Sequence, residues 1–151
     1  MIRRATPADA QAVSELVEAA YSKWIPVIGF RPRPMDDDYS QVLDEFEGWV
    51  DLDGDVVRGA IILRHEDDHL WIENVAVHPS AAGAGLGATL MDHGTQRARE
   101  LAVSEMWLYT HELMSANRAI YLHLGWAEFE PPERLADFLV YFRRPVDTAG
   151  A

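Results

Sequence analysis

A chain of 151 residues, 48% hydrophobic and 25% charged, can bury about two-thirds of its unfolded surface in one core and reads as a globular chain, not a disordered one. A net charge of −12, with 13 Lys and Arg and no basic run, excludes the cationic footprint of a nucleic-acid binder. Zero cysteines exclude disulfides and thiolate chemistry, and with no signal peptide in "MIRRATPADA" and no apolar run near the ~18 residues of a membrane span, a cytoplasmic protein with no membrane partner is expected.

"MIRR" reads as a short strand. Thr6-Pro7-Ala8-Asp9 joins a capping threonine, a first-turn proline and an acid, so a helix should start there, with Val13, Leu16, Val17, Ala20, Tyr21 and Trp24 as its buried stripe. "IPVIGFRPRPM", with three prolines and a glycine, is too broken for regular structure, and "DDDYSQVLDEFEG" forms a second short helix capped by its aspartates. Asp53-Gly54 marks a hairpin between two β-rich runs, and Glu66–Asp68 turns the chain again into "HLWIENVAV". There Leu70, Ile72 and Asn74 alternate with Trp71, Glu73, Val75 and Val77, completing a three-stranded antiparallel meander.

After the glycine-rich "AGAGLG", Leu86, Leu90, Met91, Ala98 and Leu101 form one apolar helical face. "EMWLYTH" is a strand, "SANRAIYLHLG" a short helix closed by Gly125, and "WAEFE" and "FLVYFRR" are strands on either side of Pro131-Pro132. The order is β-α-α-β-β-β-α-β-α-β-β without an internal repeat. It divides into one domain, 1–145, and a flexible C-terminal tail, 146–151.

A strand that runs through Gly83, Gly85 and Gly87 into a helix leaves backbone N–H groups free at a positive helix end, a way to hold phosphate without charged side chains. A plain turn before a helix would look similar. The Walker pattern fails because no Lys-Ser or Lys-Thr follows the last glycine. Gly83, Gly85 and Ala88 meet the loose dinucleotide spacing, but that loop follows the first strand of a parallel array, and this one follows a meander.

Val77-x-Pro79 followed by "AGAGLG" and a Leu-rich helix resembles the acyl-CoA-binding motif of the GNAT superfamily, the Gcn5-related N-acetyltransferases. A second block, with Asn117, Tyr121, Gly125 and Trp126 at the family's spacing, resembles its later motif, and the element order matches from Ile2 to Arg143. The resemblance implies an α/β (α+β) fold: a mixed, mostly antiparallel seven-stranded sheet flanked by about four helices. It also implies an acetyl-CoA-dependent N-acetyltransferase that acts on a primary amine of a small molecule or an exposed amino group, by direct attack in a ternary complex. Dimers are common in the family.

Carried onto this sequence, the resemblance assigns cofactor binding to Val75, Ala76 and Val77 on the strand, to Ala82, Gly83, Ala84, Gly85, Leu86, Gly87 and Ala88 in the loop, and to Asn117 and Tyr121. Asn117 also caps the later helix. Ala82 departs from the family, which has Gln or Arg there, and the missing partner would weaken pyrophosphate binding by about 1 to 3 kcal/mol.

Amine acetylation needs a neutral nitrogen and a donor for the departing thiolate. Tyr121 matches the family's general acid; an aromatic between Ile120 and Leu124 also suits core packing. Glu73 is the candidate base or water-holder, as well as an ordinary surface carboxylate, with His78, His111 and Glu112 as further proton acceptors. His and Asp are too scattered for a metal site. The acceptor wall would be Tyr21 to Tyr39, whose aromatics and Asp36 to Asp38 suit an amine with an apolar body. The alternative is a non-catalytic acyl-CoA-binding or regulatory module, made plausible by Ala82.

Overall fold

In the computed structural model, which describes residues 1–147, β1 (Ile2–Arg4) leads into a 3-10 turn (Pro7–Asp9) and α1 (Ala10–Tyr21). The Thr6 N–H donates to Asp9 Oδ2 at 2.9 Å, so the expected helix start is built as read. A second 3-10 turn (Ser22–Trp24) continues into α2 (Ile25–Ile28), and a third (Arg33–Asp36) precedes α3 (Tyr39–Glu45). The segment expected to be irregular thus holds an α-helical turn and the start of the third 3-10 turn; the former forms because Pro26 sits in the first turn, where no N–H is needed, and Gly29 closes it. Asp38 Oδ1 accepts from the Ser40 N–H at 3.1 Å and caps α3.

The meander follows as β2 (Glu47–Asp53), β3 (Val56–Glu66) and β4 (His69–Val77), then α4 (Leu86–Glu100), β5 (Glu105–His111), α5 (Ser115–His123), β6 (Ala127–Glu128) and β7 (Leu139–Pro145). The seven strands form one sheet in the order β1-β2-β3-β4-β5-β7-β6. Every pairing is antiparallel except β4 with β5. The expected "WAEFE" strand shrinks to two paired residues because Trp126, 2% exposed, is drawn into the core beside Tyr121 and Phe142.

Each face of the sheet carries its own core. Leu86, Leu90, Met91 and Ala98 of α4 pack on Ile61, Leu63, Leu70 and Ile72, while Val13, Leu16 and Val17 of α1 with Tyr39 and Leu43 of α3 pack on Val50, Ala60, Ile62 and Ala76. Gly59 lets α4 approach β3: a Cβ there would stand 3.0 Å from both Leu86 Cδ2 and Leu90 Cδ1.

Two residues of the expected tail, Val146 and Asp147, are tied to the rest of the chain. Val146 is buried and its N–H donates to the Ser104 carbonyl at 2.9 Å, and the Asp147 carbonyl accepts from Arg99 Nε at 2.9 Å. Residues 148–151 lie outside the described residues. Among the described residues no helix is long and apolar enough to cross a membrane, and no three His, Asp or Glu side chains are grouped to hold a metal ion.

Candidate active site

Strands β4 and β5 pair in parallel only at His69–Glu105, Leu70–Met106 and Trp71–Trp107. Beyond that point each remains paired on its other side, β4 with β3 as far as Val77 and β5 with β7 as far as His111. Their facing edges therefore separate into a wedge, and the wedge leaves the β4 edge from Ile72 to Val77 without a strand on the β5 side.

A β-bulge marks the start of the wedge. Ile62 faces Asn74 and Leu63 faces Ile72, so Glu73 is the extra residue on β4. The strict alternation expected from sequence fails here. Glu73 does not share a face with Val75 and Val77, which join the α4 core together with Leu70 and Ile72. Its Oε1 instead accepts from Arg64 Nε at 2.6 Å, on the face where Arg64 lies opposite Trp71 and stacks on its ring.

β4 delivers the chain into the glycine loop through a 3-10 turn (Pro79–Ala81). Gly83 and Gly85 hold φ of +83° and +76°, the left-handed region that disfavours any residue with a Cβ. With Gly85 at the cap of α4, the N–H groups of Gly83, Gly85, Leu86, Gly87 and Ala88 have no acceptor among the described residues, and no side chain caps the helix. The loop lines a cleft of about 420 Å³ whose other wall is Ala20 and Lys23. Unpaired amides at a helix N-terminus suit an anion such as phosphate.

Tyr121 rises from α5 with its ring 5.5 Å from Phe142 and 6.2 Å from Trp126, centre to centre. Burial pushes its hydroxyl up to about 12, which keeps the proton on the oxygen at neutral pH. Across the wedge, burial first and then the neighbouring Tyr121, Tyr39 and Tyr109 hydroxyls and Asp37 push Tyr21 far above the ordinary phenol range.

Below these hydroxyls, Asn74 Oδ1 accepts from Tyr21 at 2.5 Å, Asn74 Nδ2 donates to the Tyr39 hydroxyl at 3.1 Å, and that hydroxyl donates to the Pro34 carbonyl at 2.6 Å. This chain ties the end of α1 and the Arg33–Asp36 turn to β4. Arg33 spans the wedge, donating to the Tyr109 hydroxyl at 2.9 Å and lying 4.0 Å from Glu73 Oε2. Asp37 stands close by, and its carboxyl is raised by burial and by Glu73 against the pull of Arg33.

The two histidines are engaged elsewhere. His78 Nδ1 accepts from the Ser80 N–H at 3.1 Å and His111 Nδ1 from the Leu113 N–H at 3.1 Å, so each spends a ring lone pair on a turn. Glu112 is exposed beyond β5. Asn117 is not the cap of α5: the helix begins two residues earlier, with Met114 at its cap position, and Asn117 donates to Met114 Sδ at 3.7 Å. The Arg118 N–H already bonds the Met114 carbonyl at 3.1 Å, which extends the first turn past Asn117.

Residues 11–126 match the model of the family described as Acetyltransferase (GNAT) family. The chain belongs to the GNAT acetyltransferase family. Solved structures share its fold over nearly their whole length. PaiA N-acetyltransferase from Thermoplasma acidophilum, in complex with coenzyme A, is 14% identical with a TM-score of 0.81, covering 96% of this chain and 98% of that one. A GNAT-family acetyltransferase structure from Desulfovibrio desulfuricans is 19% identical with a TM-score of 0.79, covering 97% and 99%. The ribosomal-protein-S18-alanine N-acetyltransferase from Escherichia coli is 18% identical with a TM-score of 0.76, covering 97% and 93%. No curated protein matches the sequence.

Within this GNAT fold, Val75, Ala76 and Val77 lie on the open β4 edge, and Ala82, Gly83, Gly85, Leu86 and Gly87 line the cleft, while Ala84 and Ala88 do not. Tyr121 and Glu73 lie on α5 and β4, on either side of the wedge. Asn74 and Tyr109 were not among the expected site residues, and Lys23 and Arg33 fell only within the Tyr21–Tyr39 stretch expected as the acceptor wall. Their roles depend on contacts between distant elements, and only Asn74, an amide amid β-branched residues, carried a local signal.

Proposed function

We propose that the protein transfers an acetyl group from acetyl-CoA to a primary amine. The observation that carries this reading is the junction of an unpaired β4 edge with a helix-capping loop that presents five unpaired amides. The loop amides suit a pyrophosphate, and the open edge from Val75 to Val77 suits an extended amide-bearing arm added as a further strand. When bound, the donor supplies an activated acyl thioester.

The remaining chemistry falls to the chain's own groups. The Tyr121 O–H, kept protonated by burial, donates a hydrogen bond to the departing sulfur. An unpaired N–H of β4 beyond Trp71 stabilises charge developing on the carbonyl oxygen. An alkylamine is protonated below about pH 10.4 and must lose a proton before attack. Glu73, fixed at the bulge by Arg64, accepts that proton through water, and Asp37 beside it draws the ammonium into the wedge.

The test measures acetyl-CoA binding by calorimetry and thiol release over a panel of small amines and peptide N-termini. Binding with turnover on at least one amine supports the reading. Binding without turnover on any of them favours a non-catalytic acyl-CoA module, and absence of binding refutes both.

A further inference from the structure

Lys23 is the chain's single lysine. It stands in the Ser22–Trp24 turn after α1 and lines the cleft together with Ala82, Gly83, Gly85 and Gly87. Of the ten residues that line the cleft it alone carries charge. Its ammonium lies 5.3 Å over the Trp24 ring and makes no ion pair among the described residues. The next cations along the chain are committed: Arg31 to Glu18 and Asp36, Arg33 to Tyr109 and Glu73.

A protein of net charge −12 repels a polyanionic ligand at long range, so a cation at the cleft counts for more than on a neutral surface. The loop itself offers only backbone, because none of the residues from Ala82 to Ala88 has a polar side chain. We propose that Lys23 holds the donor's pyrophosphate from the wall opposite the loop, and so supplies the side-chain grip that Ala82 lacks. The inference rests on the acyl-CoA reading above. Lysine suits the task as a compact charge on a flexible stem, able to meet phosphate from a wall that the loop does not touch.

Calorimetry of the full chain with CoA and with dephospho-CoA, which lacks the 3′-phosphate, compares wild type with Lys23→Met and with the double variant Lys23→Met, Ala82→Arg. A charge-assisted hydrogen bond at an exposed site sits at the low end of its range, so Lys23→Met should weaken both ligands about tenfold. Restoring a cation at residue 82, which is exposed, should recover most of that loss. Equal affinity in Lys23→Met, or a loss confined to CoA and absent with dephospho-CoA, overturns the assignment.

An amine-acylating reagent gives a second readout, because Lys23 is the only side-chain amine. Peptide mass analysis should show that saturating CoA slows Lys23 modification several-fold; an unchanged rate counts against the contact. Wild-type protein that binds no CoA would defeat the acyl-CoA reading itself, whereas wild type that binds and ignores Lys23→Met defeats only this inference.

Discussion

Tyr121→Phe removes one oxygen and nothing else. The ring keeps its contacts with Phe142 and Trp126, and the lost hydroxyl breaks no hydrogen bond within the described residues, so stability should change by less than about 0.5 kcal/mol. With its hydroxyl pushed up to about 12, Tyr121 is a much weaker acid than a thiol of pKa near ~8.5. Full proton transfer to the sulfur is then uphill, and Tyr121 acts chiefly as a hydrogen-bond donor to developing thiolate. Losing such a charged hydrogen bond costs about 1.5 to 3 kcal/mol, roughly a 10- to 150-fold fall in kcat. CoA affinity, read by calorimetry, should stay within about twofold, because the donor partner appears only as the sulfur leaves. Unchanged turnover would remove Tyr121 from the reaction. A fall in affinity that matches the fall in rate would make it a binding residue instead.

Asn74→Ala strips the shared partner from the Tyr21 and Tyr39 hydroxyls, so we expect a loss of about 2 kcal/mol and a Tm lower by about 4 to 8 °C; an unchanged Tm in calorimetry would show that the network is slack. Gly83→Ala and Gly85→Ala place a Cβ at positive φ with nothing within 4 Å, so each should cost about 1 kcal/mol of backbone strain without a clash, and weaken CoA binding in the same titrations used for Lys23. Glu73→Gln keeps the shape at the bulge but removes the charge facing Arg64 and Arg33; kcat should fall more than tenfold with little change in CoA affinity, and a retained kcat would disqualify Glu73 as proton acceptor. Burial raises the hydroxyls of Tyr21, Tyr39, Tyr109 and Tyr121, so the folded chain keeps protons that the unfolded chain releases near pH 10. Stability should therefore be intact below pH 10 and fall as the pH rises through about 12, with phenolate absorbance at pH 11 rising when denaturant frees these four hydroxyls.

The fold was legible wherever a local pattern was tied to burial. The α1 stripe of Val13, Leu16 and Val17, the Asp38 cap and the Asp53-Gly54 hairpin each state their structure within a few residues. The bulge at Glu73 was not legible, because a period of two has no mark for an inserted residue and "WIENVAV" alternates smoothly on paper. One extra residue there reverses the face of everything N-terminal to it relative to everything after it. Thus Leu70 and Ile72 share the α4 core with Val75 and Val77, and Glu73 turns to the opposite side, where Arg64 and Arg33 meet it.

The same distinction separates the two walls of the cleft. The glycine loop announces itself because its work is done by the main chain: left-handed φ at Gly83 and Gly85 aims the amides, and only a narrow set of residues adopts that geometry. Side-chain charge around such a cradle has no fixed address. It can come from residue 82 of the loop or, equally well, from any element that borders the cleft, here the turn after α1, some sixty residues upstream. Ala82 read alone looks like a weakened site; read against Lys23 across the cleft, it looks like a grip moved from one wall to the other. For that reason the double variant that returns a cation to residue 82 is the sharper test: it asks whether the cleft needs a charge, or needs it from one particular wall.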